Sequence, residues 1–274
     1  MKLYKYRDLS TSGDAEFQRL SDILHRNAFW CARPSTLNDP AEFHWDCNYE
    51  PTGATIPLLT KALIQFRNRD PIEAHAMATA AVSNRRVEVF AKPAFAEMIE
   101  RCRNEMGLAC FGTTYDNPIM WQRYGGHGAG VCIEVEAPSE VLNKQLFPVE
   151  YPPAKVLHID QLLAACVDPS QAKTVHSVAL LSKSPSWAPE SEVRFISRKQ
   201  NVTVQISGSV VSRIILGPNL EHHTRLRILG VIESRVLRWR REAVLRGEDS
   251  WSFGSRNRTS GYAQSLSFLH LLRA

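Results

Sequence analysis

The sequence predicts an α+β protein of mixed strand order, with a helical insertion and C-terminal helices. Three observations carry this prediction. Short alternating or β-branched stretches open the chain and return after residue 107, a long Ala-, Met-, Glu- and Arg-rich stretch of helical spacing separates them, and helix signals fill 221–246. No internal repeat and no low-complexity linker interrupts the pattern, so residues 1–246 read as a single α+β domain. Residues 247–274 form a polar, Gly/Ser-rich tail whose apolar end, Leu266 to Leu272, either docks as a final helix or stays partly mobile.

The elements follow in order. In Leu3–Arg7, alternation puts Tyr4 and Tyr6 on one face of a strand and Lys5 and Arg7 on the other. The turn Thr11-Ser12-Gly13-Asp14 precedes apolar residues at helical spacing, Phe17, Leu20, Ile23 and Leu24. A second strand, Ala28 to Ala32, runs into the loop Arg33 to Pro40. From about 55 to 106 the spacing gives two or three helices, broken at Asp70-Pro71 and Lys92-Pro93 because proline lacks an N–H and clashes with the preceding turn. Strands resume at Gly107–Gly112 and Gly130–Val135, joined by a glycine-rich segment, and a short one follows at Phe147–Tyr151. Residues 158–182 read as helix. Trp187 through Arg194 reads as an acidic strand, with further strands at Val202–Ile206 and Val210–Leu216.

With 44% hydrophobic and 22% charged residues, the composition is that of a globular protein, not a disordered one. No stretch approaches the roughly 20 apolar residues of a membrane span, and the start MKLYKYRDL lacks the apolar run of a secretory signal, so a cytoplasmic protein with no membrane partner is expected. The cysteines, at 31, 47, 102, 110, 132 and 166, form no C-x-x-C pair and read as buried reduced thiols. The net charge of +5 is a mild basic excess, concentrated in the segment from Arg235 to Arg246, which suits a nucleic acid or a solvated helix face.

No motif of known mechanism is present, whether G-x-x-x-x-G-K-[ST], G-x-G-x-x-G after a strand, H-E-x-x-H or G-x-S-x-G. The adjacent pair His222 and His223 diverges on any regular element, so no metal site is expected. Gly125 to Gly130 suits either a phosphate-cradling loop or a hairpin turn. Trp121, Arg123 and Tyr124 put an aromatic, a cation and a phenol within one turn, a set able to stack on a base and pair with phosphate. In the loop Asn38-Asp39-Pro40-Ala41-Glu42, Asn38 and Asp39 cap their own backbone with Pro40 fixing the turn, or the amide and carboxylate groups face a cleft at the end of a strand. Glu190, Glu192 and Arg194, spaced two apart, share one face of a strand. They read as a surface ion pair or as a carboxylate site in which one acid, tuned by the other and by Arg194, handles a proton, binds a ribose hydroxyl or steadies a developing cation.

Taken in order, LYKYR, STLNDPAEF, ACFG, IMWQRYGGHGAGVCIEV, FPVEY, LLSKSPSW and ESEVRF resemble the bacterial domain of unknown function 2971, from about residue 3 to 217. The sequence departs from that pattern at Ala41, at Gly125-Gly126 and at Ala188-Pro189. A weaker resemblance is to NAD-using ADP-ribosyltransferases, above all the DNA-modifying DarT-type toxins, in the order strand, helix, strand, a segment like CFGTTYDNPIMW and a late glutamate. It implies a split mixed or antiparallel sheet of ADP-ribosyltransferase-like type and an NAD-consuming toxin or anti-phage effector with a nucleic-acid or protein acceptor, Glu192 or Glu190 as the catalytic carboxylate, and NAD held by Lys5, Tyr6, Arg7, Asn38, Asp39, Trp121, Arg123, Tyr124 and Arg194. The alternative is a nucleotide or nucleic-acid binding module without catalysis.

Overall fold

Alternation at the N-terminus makes the first strand, β1 (Lys2–Arg7): Leu3 enters the main core while Tyr4 and Tyr6 pack in a separate cluster. The computed structural model describes residues 1–10, 13–39, 42, 45–140, 144–245 and 264–267. Helix α1 (Asp14–Arg26) buries the predicted stripe Phe17, Leu20, Ile23 and Leu24, and ends where Asn27 turns into the left-handed region at φ 49°. Strands β2 (Ala28–Cys31) and β3 (Asp46–Asn48) follow.

The insertion is three helices, α2 (Thr55–Arg67), α3 (Pro71–Ser83) and α4 (Val87–Glu105). Asp70 caps α3 by accepting from the N–H groups of Ile72 and Glu73, with Pro71 in the first turn, where its missing N–H costs nothing. The expected break at Lys92-Pro93 does not occur, because Val87, Ala91 and Phe95 continue one buried face through Pro93, and that packing outweighs a proline penalty of about 3 kcal/mol.

Beyond the insertion come β4 (Gly107–Phe111), α5 (Pro118–Tyr124), β5 (Val131–Glu136), β6 (Leu146–Pro148) and β7 (Val156–His158). The region expected to be continuously helical to residue 182 is two helices, α6 (Ile159–Val167) and α7 (Ala172–Leu180), separated by a 3₁₀ turn that starts at Pro169. The chain closes with β8 (Val193–Ser197), β9 (Val202–Gln205), β10 (Val210–Leu216), α8 (His222–Leu245) and β11 (Gln264–Ser267). In the tail, the expected helix falls mostly outside the described residues, and the part described, β11, is a strand paired with β10. The basic side chains from Arg235 to Arg246 also lie outside the described residues.

The acidic strand expected from Trp187 to Arg194 is only half a strand. Pro185–Glu190 is a 3₁₀ helix, Ser191 turns the chain through φ 45°, and pairing begins at Val193. Pro185 and Pro189 are the cause, since neither carries the N–H that a sheet ladder needs.

The resulting α+β fold has several small, mostly antiparallel sheets. The largest has the order β1-β5-β10-β11, a second has β4-β8-β6, β2 pairs with β9, and β3 pairs with β7 in parallel. Helices α1 and α8 help cover the first sheet, while α2, α3, α4, α6 and α7 share a second core of their own. Single bridges, Tyr4 with Gly112 and Ala32 with Leu108, link β4 to β1 and β2. Away from those bridges the strands part, and the space between them is open. Among the described residues no helix is long and apolar enough to cross a membrane.

Candidate functional site

A cavity of ≈ 400 Å³ lies where β1 and β4 part, closed by the end of α5, the loop after β2 and the segment from Lys183 to Arg194. It falls within the usual size range of small-molecule sites. Its floor is a chain of buried charges. Glu190, Glu192 and Arg194 are only 2%, 4% and 0% exposed, which rules out the surface ion pair. Lys183 joins the two acids, its ammonium 2.8 Å from Glu190 Oε2 and 2.9 Å from Glu192 Oε2. Arg194 takes the other side of Glu192, with Nε 2.8 Å from Oε1, and then reaches Glu42 Oε1 at 2.6 Å and donates to the Leu180 carbonyl at 2.7 Å. At the far end, Glu190 Oε1 accepts from Arg123 and from the Tyr124 hydroxyl, each at 2.9 Å.

The charge state of this chain follows from its contacts. Burial works to raise the Glu192 carboxyl, but the charge and hydrogen bonds of Arg194, the charge of Lys183 and a hydrogen bond from Cys110 outweigh it and hold the pKa at about 2. For Lys183 burial favours the neutral amine, yet Glu192 and Glu190 overcome it and raise its pKa, and Arg194 is likewise raised well above the ordinary value. Glu192, Lys183 and Arg194 are therefore ionised at neutral pH. Burial and the negative charge of Glu190 push the Tyr124 phenol up, so it stays a hydrogen-bond donor.

The opposite wall is cationic and aromatic. Arg7 and Arg19 both pair with Glu16, and the Arg19 guanidinium stacks 4.8 Å from the Trp30 ring centre. Burial and the adjacent Arg19 lower Arg7 to about 10, which leaves it charged at neutral pH. Two guanidiniums sharing one carboxylate keep a net positive charge on this side of the cavity.

Of the residues predicted from sequence, Lys5, Tyr6, Arg7, Asn38, Tyr124, Glu190, Glu192 and Arg194 line this cavity. Three do not. Trp121 turns away to pack edge-on against Tyr6 at 5.3 Å and to donate its indole N–H to the Tyr115 carbonyl. Arg123 stacks on Trp187 at 4.3 Å while it pairs with Glu190 from outside. Asp39 is buried, within electrostatic reach of Lys155. The glycine segment also lies elsewhere, as packing: a Cβ on Gly130 would sit 2.1 Å from the Arg7 carbonyl oxygen.

Lys183, Glu42, Cys110, Arg19 and Trp30 were not singled out from sequence as site residues, Glu42 entering only as the end of the loop from Asn38 that either caps itself or faces a cleft. The first two complete the buried chain, Cys110 bonds Glu192, and the last two form the cationic wall. Lys183 stands between serines in LLSKSPSW, so its local sequence carries no signal that it is buried. Comparison with family models, with curated proteins and with solved structures finds no match to this chain.

Proposed function

We propose that the chain is an NAD-consuming, ADP-ribosyltransferase-like enzyme of the toxin or anti-phage effector kind, akin to the domain of unknown function 2971, with Glu192 as its central carboxylate. The observation that carries this reading is the cavity itself, which faces an ionised carboxylate with a wall of shared-partner arginines and an indole. Cleaving the nicotinamide–ribose bond builds positive charge on the ribose, which a fixed carboxylate stabilises, and a nucleic-acid or protein nucleophile then takes the sugar. Arg7 and Arg19 suit the diphosphate, Trp30 offers a ring to stack on, and Asn38 and Tyr6 border the same space. The parting of the β1 and β4 sheets at the cavity supports the ADP-ribosyltransferase-like type of fold.

Incubation of the full chain with NAD should release free nicotinamide, and Glu192→Gln should slow that release by about 10² to 10³-fold. Calorimetric binding of NAD to the variant separates lost chemistry from lost fold. A release rate untouched by the substitution would remove Glu192 from the reaction. One observation favours nucleotide binding without catalysis, namely that both oxygens of Glu192 already hold cations. That reading expects tight NAD or nucleotide binding with no nicotinamide released.

A further inference from the structure

Five basic side chains line the cavity: Lys5, Arg7, Arg19, Lys183 and Arg194. Four of them have carboxylate partners, Arg7 and Arg19 on Glu16, Lys183 on Glu190 and Glu192, and Arg194 on Glu192 and Glu42. Lys5 pairs with no carboxylate among the described residues. Its amine nitrogen makes one hydrogen bond, 2.8 Å to the Cys110 carbonyl oxygen, and lies 5.6 Å from the centre of the Phe111 ring. The amine is partly buried with no carboxylate beside it, which favours the neutral form, and the attraction of the Phe111 ring face for a cation is the weaker opposing influence.

The groups around it act in both directions, and those that lower the pKa prevail. Burial is the largest influence and lowers the Lys5 pKa, and the charge of Arg7 lowers it further. Cys110, Cys31 and Glu192 oppose that shift. The two thiols, however, are pushed by burial to about 12 and about 11, so both are uncharged near pH 7. The Glu192 charge is already shared between Lys183 and Arg194. Lys183, the other lysine of the cavity, is the opposite case, since two carboxylates clamp it in the charged form.

We propose that Lys5 is a nucleophilic amine, and that the cavity accepts a small aldehyde or ketone bearing a phosphate or carboxylate, which Lys5 captures as an imine. The anionic group would sit toward Arg7 and Arg19, leaving the carbonyl carbon to the amine. The step needs no co-reactant. The nitrogen lone pair forms a C–N bond, the carbonyl π pair moves to oxygen, and that oxygen takes one proton from nitrogen. The resulting hydroxyl then leaves with the second nitrogen proton as water, and C=N forms. This activity does not depend on whether the same cavity takes NAD.

The test treats the full chain at pH 7 with pyridoxal 5′-phosphate, a phosphorylated aldehyde whose imine is coloured, followed by borohydride reduction and peptide mass mapping. Lys5 should be labelled on the order of tenfold faster than the exposed Lys61. Lys5→Arg keeps a donor to the Cys110 carbonyl, but its guanidinium forms no imine, so the variant should abolish the early imine absorbance while circular dichroism stays unchanged. Labelling of Lys5 no faster than that of Lys61 would overturn the proposal, and so would a wild-type absorbance in a folded Lys5→Arg protein. If that variant fails to fold, the wild-type peptide map decides alone. Pyridoxal without its phosphate should react more slowly at Lys5, and equal rates would overturn the anionic part of the assignment.

Discussion

Lys183 shows how one side chain holds a buried site together. It is 3% exposed and sits between two carboxylates that would otherwise repel each other across a small gap. Breaking a buried ion pair from one side leaves an uncompensated charge, at a cost of about 3–5 kcal/mol. Lys183→Met should therefore lower the urea unfolding midpoint by an amount equivalent to that figure. Arg69→Ala is the control, because the Arg69–Glu73 pair is 47% and 52% exposed and should contribute less than about 1 kcal/mol. If the two variants cost the same, the buried chain is not a unit. Residue types at 190, 192 and 194 were legible as an acidic and basic cluster, but burial was not, since a spacing of two is equally that of a surface strand. Glu42 was illegible as a partner for a simpler reason: it meets Arg194 across 152 residues.

At the scale of elements, the site depends on docking α5 against the 3₁₀ helix that ends at Glu190. Asn117 does both jobs. Its Oδ1 caps α5 by accepting from Ile119 and Met120 at 3.0 and 3.3 Å, and its Nδ2 donates to the Pro189 carbonyl at 2.6 Å. Asn117→Ala should cost about 1–2 kcal/mol by losing the cap, and it should also loosen the hold of Tyr124 on Glu190. Asn117→Asp keeps the cap acceptor and removes the donor. Thermal unfolding should place the Asp variant between wild type and Ala, and an Asp variant as unstable as Ala would show that the cap contributes nothing. The local elements were the legible ones, because Phe17–Leu24 and Val131–Val135 carry their period within a few residues. The 3₁₀ segment was misread because Val193–Ile196 alternates so clearly that the pattern extends backwards through Pro189, although that proline already forbids pairing.

At the scale of the whole molecule, the sequence could not specify which strands meet. Pairings such as β2 with β9 and β3 with β7 join segments more than 100 residues apart and depend on cores assembled from several elements. The same long-range assembly buries two carboxylates whose ionisation is tied to folding. Glu192 is held at about 2. Glu134 joins β1, β5 and β10, and although burial opposes it, hydrogen bonds from Lys2 and Ser212 and the charge of Arg213 lower its pKa too. In the unfolded chain each returns to the ordinary 4.5. Below that pH the unfolded chain binds protons that the folded protein refuses, so stability present at neutral pH drains away as pH falls from about 4.5 toward 2. Glu192 alone accounts for a loss on the order of 3 kcal/mol. Urea titrations between pH 6 and pH 3 should show a steep fall for wild type and a shallower one for Glu192→Gln and for Glu134→Gln, whose neutral amides bind no proton in either state. A Glu192→Gln protein with the wild-type slope would mean that Lys183 and Arg194 do not hold Glu192 ionised, and the charged floor on which the proposed chemistry stands would go with it.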